Sequence, residues 1–146
     1  MSEDIVIGAG VYGALVAMEL AQCGRQVRVL EAGTIAGGAS GGPGRRGVRA
    51  NGRDLRELAL MVEAYKVWPS LNKELVSHHF YERTGHLLLL EREQDLVPAA
   101  ARVQMQKSQG IDCRLVTGSD LSQIQPGLTE NARAGIHCEN DGVCDH

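Results

Sequence analysis

The alternation of apolar and polar residues predicts a β-α-β unit at the start of the chain. Asp4 to Ile7 is a short run rich in β-branched residues that meets Gly8 at once, which is typical of a strand followed by a tight turn. From Val11 to Cys23, small and apolar side chains recur at helical spacing, and Val27 to Leu30 has the pattern of a second strand. Together these elements predict two neighbouring strands joined by a helix.

The rest of the chain is predicted to form further helices and strands. Helices are predicted at Asp54 to Val76, Asp95 to Gln109 and Ser119 to Gln125, and strands at Tyr81 to Glu91, Cys113 to Val116 and Ala132 to Cys138. Asp54 is a plausible helix N-cap, and Pro69 is expected to break or kink its helix. Gly85 predicts a turn or bulge within its strand.

The motif GAGVYG, at residues 8–13, fits the GxGxxG pattern between a predicted strand and a predicted helix, the context that a dinucleotide fingerprint requires. Gly8 allows the sharp turn, Gly10 lets a pyrophosphate approach the backbone, and Gly13 lets the helix lie close to the strand. The helix N-terminus then presents N–H groups and a partial positive charge to the phosphates. The motif therefore predicts a dinucleotide site rather than an ordinary β-α turn.

Glu31 lies at the end of the second predicted strand, where a ribose-binding acid belongs. An acid there argues against a 2′-phosphate on the cofactor, because two negative groups would meet, so NAD and FAD remain. The next stretch, GTIAGGASGGPGRRGVR at residues 33–49, has the composition of a linker but could bring many backbone N–H groups near one ligand. An NAD domain would continue into another crossover helix and strand, so this stretch favours FAD.

Composition and charge exclude several classes of protein. The chain has 146 residues, 43% of them hydrophobic, which suits an ordinary globular domain, and its net charge of -3 gives no basic field for nucleic acid. The apolar run at 11–21 is too short to cross a bilayer and the start lacks a basic signal region, so we expect a cytoplasmic protein without a transmembrane segment. The four cysteines form no CxxC pair, so neither a disulfide framework nor a metal site is expected.

The chain resembles the N-terminal part of the D-amino-acid oxidase-like family of FAD-dependent oxidoreductases, which includes glycine oxidase, sarcosine oxidases and amino-acid dehydrogenases. The residues that carry the resemblance are DIVIGAGVYGALVAMELAQCGRQVRVLEAG, then GGASGG followed by GVRAN and, more loosely, TGHLLLLE and ENDGVCDH. The resemblance implies an α/β fold with a Rossmann-like FAD-binding βαβ unit in residues 1–77. Residues 78–146 would then be the first part of an α+β substrate domain.

The resemblance also implies which residues contact FAD. The ADP part and its ribose would lie against the first glycine motif and the end of the second strand, at Gly8, Gly10, Val11, Tyr12, Gly13, Glu31 and Ala32. The following loop would pass along the pyrophosphate, ribitol and flavin ring, at Ser40, Gly41, Gly42, Arg45, Arg46, Gly47 and Val48. Many relatives have an asparagine near Pro43, so the contacts beside the flavin are expected to differ here. Arg45 or Arg46 could then offset negative charge on a phosphate or on reduced flavin.

The chemistry implied by the family is oxidation of the C–N bond of an amino acid or secondary amine by hydride transfer to flavin N5. Because the flavin carries this chemistry, no catalytic residue is assigned to this chain, and His78, His79, His86 and His137 are expected to be structural or exposed. Two alternatives stay open. The chain could be a non-catalytic dinucleotide-binding or regulatory module, or a fragment of an NAD-dependent dehydrogenase.

Family members run to well over twice this length, so the resemblance implies that much of both domains lies outside this chain. The β-α-β unit lacks the neighbouring parallel strands that would cover its faces, and its helix at 11–21 is expected to be partly exposed. We therefore expect a heteromer in which a second polypeptide completes the FAD and substrate domains around a small amine or amino-acid substrate.

Overall fold

The computed structural model describes residues 3–38, 44–75 and 80–145. The chain divides into two compact units between Arg46 and Gly47. The limits expected for the domains of the complete enzyme, 1–77 and 78–146, stay a prediction.

The first unit is the β-α-β unit that the sequence predicts. Strand β1 spans Glu3–Ile7, helix α1 spans Val11–Gln22 and strand β2 spans Gln26–Leu30. The two strands pair in parallel, in a register that places Ile7 beside Leu30. A parallel pair requires a crossover, and α1 supplies it. The three predicted elements are therefore confirmed, with ends that shift by one residue.

Apolar side chains of the first unit stay exposed on both of its sides. No residue of α1 is buried, and Tyr12 on its outer surface is 86% exposed. Ile5 and Ile7 lie on the sheet face opposite Val6, which faces the helix, and Ile7 is 86% exposed. Parallel sheets are normally covered on both faces, so the expectation of a partly exposed unit is confirmed.

The other elements surround a hydrophobic core. The strands are β3 (Arg45–Val48), β4 (Tyr81–Glu82), β5 (His86–Leu90), β6 (Cys113–Thr117), β7 (Ala134–Cys138) and β8 (Gly142–Asp145). The helices are α2 (Leu58–Glu74), α3 (Leu96–Ser108) and α4 (Gly118–Ile124), with short 3-10 turns at Leu55–Glu57 and Glu93–Asp95. One sheet has the order β5-β7-β6 and is antiparallel, and the other has the order β3-β8-β4.

The core cluster of buried apolar residues lies entirely in the second unit. It joins α2, α3 and both sheets through fully buried side chains such as Leu58, Ile111 and Ile136. Trp68 and Phe80 stack beside it with ring centroids 5.8 Å apart. The second unit therefore has the apolar packing that the first unit lacks.

Three local predictions have different outcomes. Asp54 caps the 3-10 turn that leads into α2, because its side chain accepts a hydrogen bond from Arg56 N at 2.9 Å. The predicted strand at 81–91 is divided into β4 and β5 at Gly85, whose φ of 74° fits the predicted turn. A break at Pro69 is wrong, since α2 continues through it with buried residues on both sides, Met61 and Leu71; the alternative, a kink, stays a prediction.

Candidate functional site

The glycine motif at residues 8–13, which joins β1 to the first turn of α1, contains three glycines with different structural roles. Gly8 has a φ of 93°, and its N–H donates to Leu30 O at 2.7 Å. A Cβ on Gly13 would collide with Gly8 O, far inside the 3.0 Å that real Cβ atoms keep. Gly10 has a φ of −75°, and a Cβ there would meet no protein atom within 4 Å. The protein thus explains Gly8 and Gly13, while at Gly10 the space is open to a ligand.

The N-terminus of α1 lies at this open space. Gly10 is its N-cap, no side chain among the described residues caps it with a hydrogen bond, and the first turn contains no acidic residue. The first intrahelical bond runs from Ala14 N to Gly10 O, so the N–H groups of Val11, Tyr12 and Gly13 precede it. A helix start of this kind favours a phosphate, because its N–H groups and dipole both attract an anion.

Glu31 is tied to the same turn. Its Oε2 accepts a hydrogen bond from Ala9 N at 2.7 Å, and its Oε1 accepts one from Gly33 N at 2.9 Å. These two N–H groups, that of Ala9 first, hold the pKa of Glu31 below its usual value, so the exposed carboxylate is ionised at neutral pH. A carboxylate has room for roughly four hydrogen bonds, so further lone pairs can accept from ribose hydroxyls.

The glycine-rich stretch after Glu31 folds back onto the first turn. Ala36 N donates to Ala9 O at 3.0 Å, and Gly37 N closes a turn on Thr34 O at 2.9 Å. Ala36 has a φ of 58°, in the left-handed region that favours glycine. This part of the stretch is therefore an ordered turn, held by hydrogen bonds beside the first glycine motif, and not a linker.

The remaining predicted contact residues are placed only in part. Ser40, Gly41, Gly42 and Pro43 lie outside the described residues. Arg45 and Arg46 begin β3 with exposed side chains, and Arg46 Nη1 donates to Arg45 O at 2.8 Å. Gly47 follows them in the strand and is exposed.

Val48 ends β3 and is only 6% exposed, since its side chain belongs to the core cluster. The hydrogen bonds bring together Gly8, Ala9, Glu31, Gly33 and Ala36 in the first unit. The roles of all these residues toward FAD stay predictions.

Two residues whose backbone groups shape the candidate site, Ala9 and Ala36, were not predicted from the sequence. Ala9 donates to Glu31 and accepts from Ala36, so it connects both glycine-rich stretches, yet it occupies a variable position of GxGxxG. Its burial is visible only in the fold, with 5% of its surface exposed. Ala36 gave no signal, because alanine does not normally adopt a positive φ.

The histidines and cysteines in the described part of the chain do not form a second candidate site. His86 is half-buried, and burial lowers its pKa, which favours the neutral ring. Residues 78 and 79 are outside the described ranges. Within those ranges, no group of three His, Cys, Asp or Glu residues is arranged to hold a metal ion, and Cys113, Cys138 and Cys144 are buried free thiols. No helix there has the length and apolar character needed to cross a membrane.

Residues 5–146 match the sequence model of the family described as FAD dependent oxidoreductase. The chain belongs to this family. Within it, the structure is similar to L-proline dehydrogenase from P. horikoshii, with a TM-score of 0.86 and 27% identity over 99% of this chain. It is also similar to glycine oxidase from Bacillus cereus, with a TM-score of 0.79 and 26% identity over 98% of this chain. The family resemblance seen in the sequence and the predicted α/β fold class are confirmed.

A third similar structure is L-amino acid deaminase from Proteus myxofaciens, with a TM-score of 0.87 over 99% of this chain, but at 23% identity this likeness shows the fold alone. The chain covers 38%, 39% and 33% of these three solved proteins, so it spans less than two fifths of their length. No curated protein matches the chain.

The described residues fit the FAD that the family name implies. The open position at Gly10 lies at an uncapped helix start, where a pyrophosphate can approach the backbone. Glu31 offers an ionised acceptor for ribose hydroxyls and would repel a 2′-phosphate. These two features are what an adenine dinucleotide without that phosphate requires.

Proposed function

We propose that this chain is the N-terminal portion of an FAD-dependent oxidoreductase that oxidises the C–N bond of an amino acid or secondary amine. The observation that carries the proposal is the open space at Gly10, bordered by the helix N-terminus and tied through Ala9 to ionised Glu31. When bound, FAD supplies the redox chemistry by taking up a hydride at flavin N5. Two similar solved proteins, L-proline dehydrogenase and glycine oxidase, have names that point to amino-acid substrates.

The residues of this chain then bind and orient the cofactor. The turn at residues 8–13 and the N-terminus of α1 hold the pyrophosphate through backbone N–H groups. Glu31 accepts hydrogen bonds from the ribose of the adenosine half. Arg45 and Arg46 lower the cost of negative charge on phosphate or reduced flavin, because a nearby cation stabilises an anion strongly in a dry site.

We also propose that a further polypeptide covers the apolar surfaces of the first unit and completes the FAD and substrate domains. Ile7 and Tyr12 are each 86% exposed and lie on opposite sides of this unit. Surfaces of this kind mark interaction sites in a stable protein. Mass spectrometry of the purified, undigested material under native conditions should find a larger partner. A single folded, monomeric species of this mass would contradict the proposal.

FAD retention tests the proposed cofactor site directly. Purified protein should keep its visible flavin absorption through dialysis, and Glu31→Ala should weaken FAD binding by about 1.5 to 3 kcal/mol, the range for hydrogen bonds to charged groups. Glu19→Ala removes an exposed acid of α1 and serves as the matched control. A colourless protein that binds NAD instead of FAD would refute the proposal, and equal flavin occupancy in both variants would refute the role of Glu31.

A further inference from the structure

A fully buried carboxylate lies far along the chain from the glycine motifs. Asp141 is 0% exposed and lies in the turn between β7 and β8. Its Oδ1 accepts hydrogen bonds from Ala50 N at 2.7 Å and from the hydroxyl of Tyr65, and its Oδ2 accepts one from Asn51 N at 3.1 Å. Three donors from two other segments therefore converge on one side chain.

The two backbone donors belong to the segment that leaves β3. Ala50 and Asn51 come two and three residues after Val48, the last residue of this strand, and Asp141 directly precedes β8, its neighbour in the sheet. The carboxylate thus fixes the end of β3 against the beginning of β8. Asn51, also 0% exposed, strengthens the connection because its Nδ2 donates to Ile136 O at 2.7 Å.

Burial of a carboxylate is costly unless hydrogen bonds replace its hydration. Apolar packing would hold a turn at lower cost, but only an acceptor with two oxygens can bind two successive amides and a phenol together. Burial and the neighbouring Asp141 raise the pKa of Tyr65, so the phenol keeps its proton and stays a donor. The hydrogen bonds of Asp141 hold the backbone at residues 50 and 51 in place.

We propose that Asp141 is a positioning residue for the flavin: by holding the amides of Ala50 and Asn51, it fixes the course of Gly47 and Val48 in β3. This inference rests on the proposed function, because the residues of β3 belong to the stretch that is expected to pass along the pyrophosphate, ribitol and flavin ring. Asp141 itself takes no part in the chemistry. It acts through the backbone that it holds.

The test replaces Asp141 by asparagine in the protein as purified, with its partner and FAD. Asparagine keeps the shape but turns one acceptor oxygen into a donor that faces another donor. Hydrogen exchange at Ala50 and Asn51 should become at least about tenfold faster, as expected for loss of a charge-assisted bond. The flavin absorption bands and the two-electron reduction potential should shift as well, which a change in stability alone does not produce. Glu139→Gln, an exposed acid two residues away, should change none of these.

The outcomes separate this inference from the proposed function. If hydrogen exchange at residues 50 and 51 is unchanged in Asp141→Asn, the inference is overturned. It is also overturned if exchange is faster but the flavin absorption bands and the reduction potential are unaltered. If Asp141→Asn does not fold, Tyr65→Phe removes a single donor from the same carboxylate and should give a smaller acceleration at both amides; no acceleration would then overturn the inference. Absence of FAD from the unaltered protein would instead defeat the proposed function, and positioning of a flavin by Asp141 with it.

Discussion

Replacing Gly10 and Gly13 by alanine, one at a time, distinguishes a glycine needed for cofactor binding from a glycine needed for the stability of the fold. Gly13→Ala places a methyl group against the backbone oxygen of Gly8, so α1 has to recede from β1 by about 1 Å to reach a tolerated distance. Overpacking of this kind costs about 1 to 3 kcal/mol. Gly10→Ala meets no protein atom within 4 Å and has a φ of −75° that alanine adopts readily, so only the poorer N-cap matters, and stability should fall by at most about 1 kcal/mol.

Hydrogen exchange of the α1 amides and FAD titration should therefore give opposite rankings. In the cofactor-free protein, Gly13→Ala should accelerate exchange in α1 by about 10- to 100-fold, since each 1.4 kcal/mol is a factor of ten, while Gly10→Ala should accelerate it by less than about fivefold. In FAD titrations, Gly10→Ala should raise Kd by about 10- to 100-fold, because its methyl group fills the space reserved for the pyrophosphate. Wild-type affinity in Gly10→Ala, or wild-type exchange in Gly13→Ala, would refute the reasoning.

Three further substitutions or titrations test individual contacts. Burial lowers the pKa of His86, so as the pH falls the unfolded chain binds a proton more readily than the folded protein does. The free energy of unfolding should therefore decrease as the pH falls below about 6.5. Urea unfolding, followed by the fluorescence of the single tryptophan, should show this pH dependence in the wild type and not in His86→Phe. NMR titration should find the pKa of the Glu31 carboxyl below 4.5, because backbone N–H groups donate hydrogen bonds to the ionised form. These hydrogen bonds stabilise the folded protein above that pH, and their contribution is lost as the pH falls through the folded pKa. A pKa at or above 4.5 would contradict the hydrogen bonds. Leu58→Ala in the core should cost about 2 to 5 kcal/mol, whereas Leu60→Ala, at a side chain 73% exposed, should stay within about 0.5 kcal/mol in the same assay.

The β-α-β unit could be predicted because its signals are local. Gly8 and Gly13 sit at positions where the backbone needs glycine, and the apolar spacing between them and Leu30 is that of a helix and a strand. Strands β3 and β8 gave no such signal, since each has four residues and forms by pairing with distant segments. The bond between Ala50 and Asp141 spans 91 positions, which no local pattern reveals.

Asp141 also shows why part of the tertiary structure escaped prediction. In the sequence it stands in ENDG, a composition typical of an exposed turn, yet its side chain is fully buried. At Pro69 the local signal favoured a break, yet α2 continues through it, with Met61 and Leu71 buried on either side. Both residues are governed by tertiary contacts rather than by their neighbours in the sequence.

Anaerobic titration of the FAD-loaded protein, with its partner present, tests the central claim most directly. Glycine, L-proline and a set of secondary amines are added in turn while the visible flavin absorption is followed. We expect at least one of these compounds to bleach the flavin, with the C–N bond oxidised to an imine that hydrolyses. A flavin that stays oxidised with every amine but is reduced by a compound lacking a C–N bond would contradict the account.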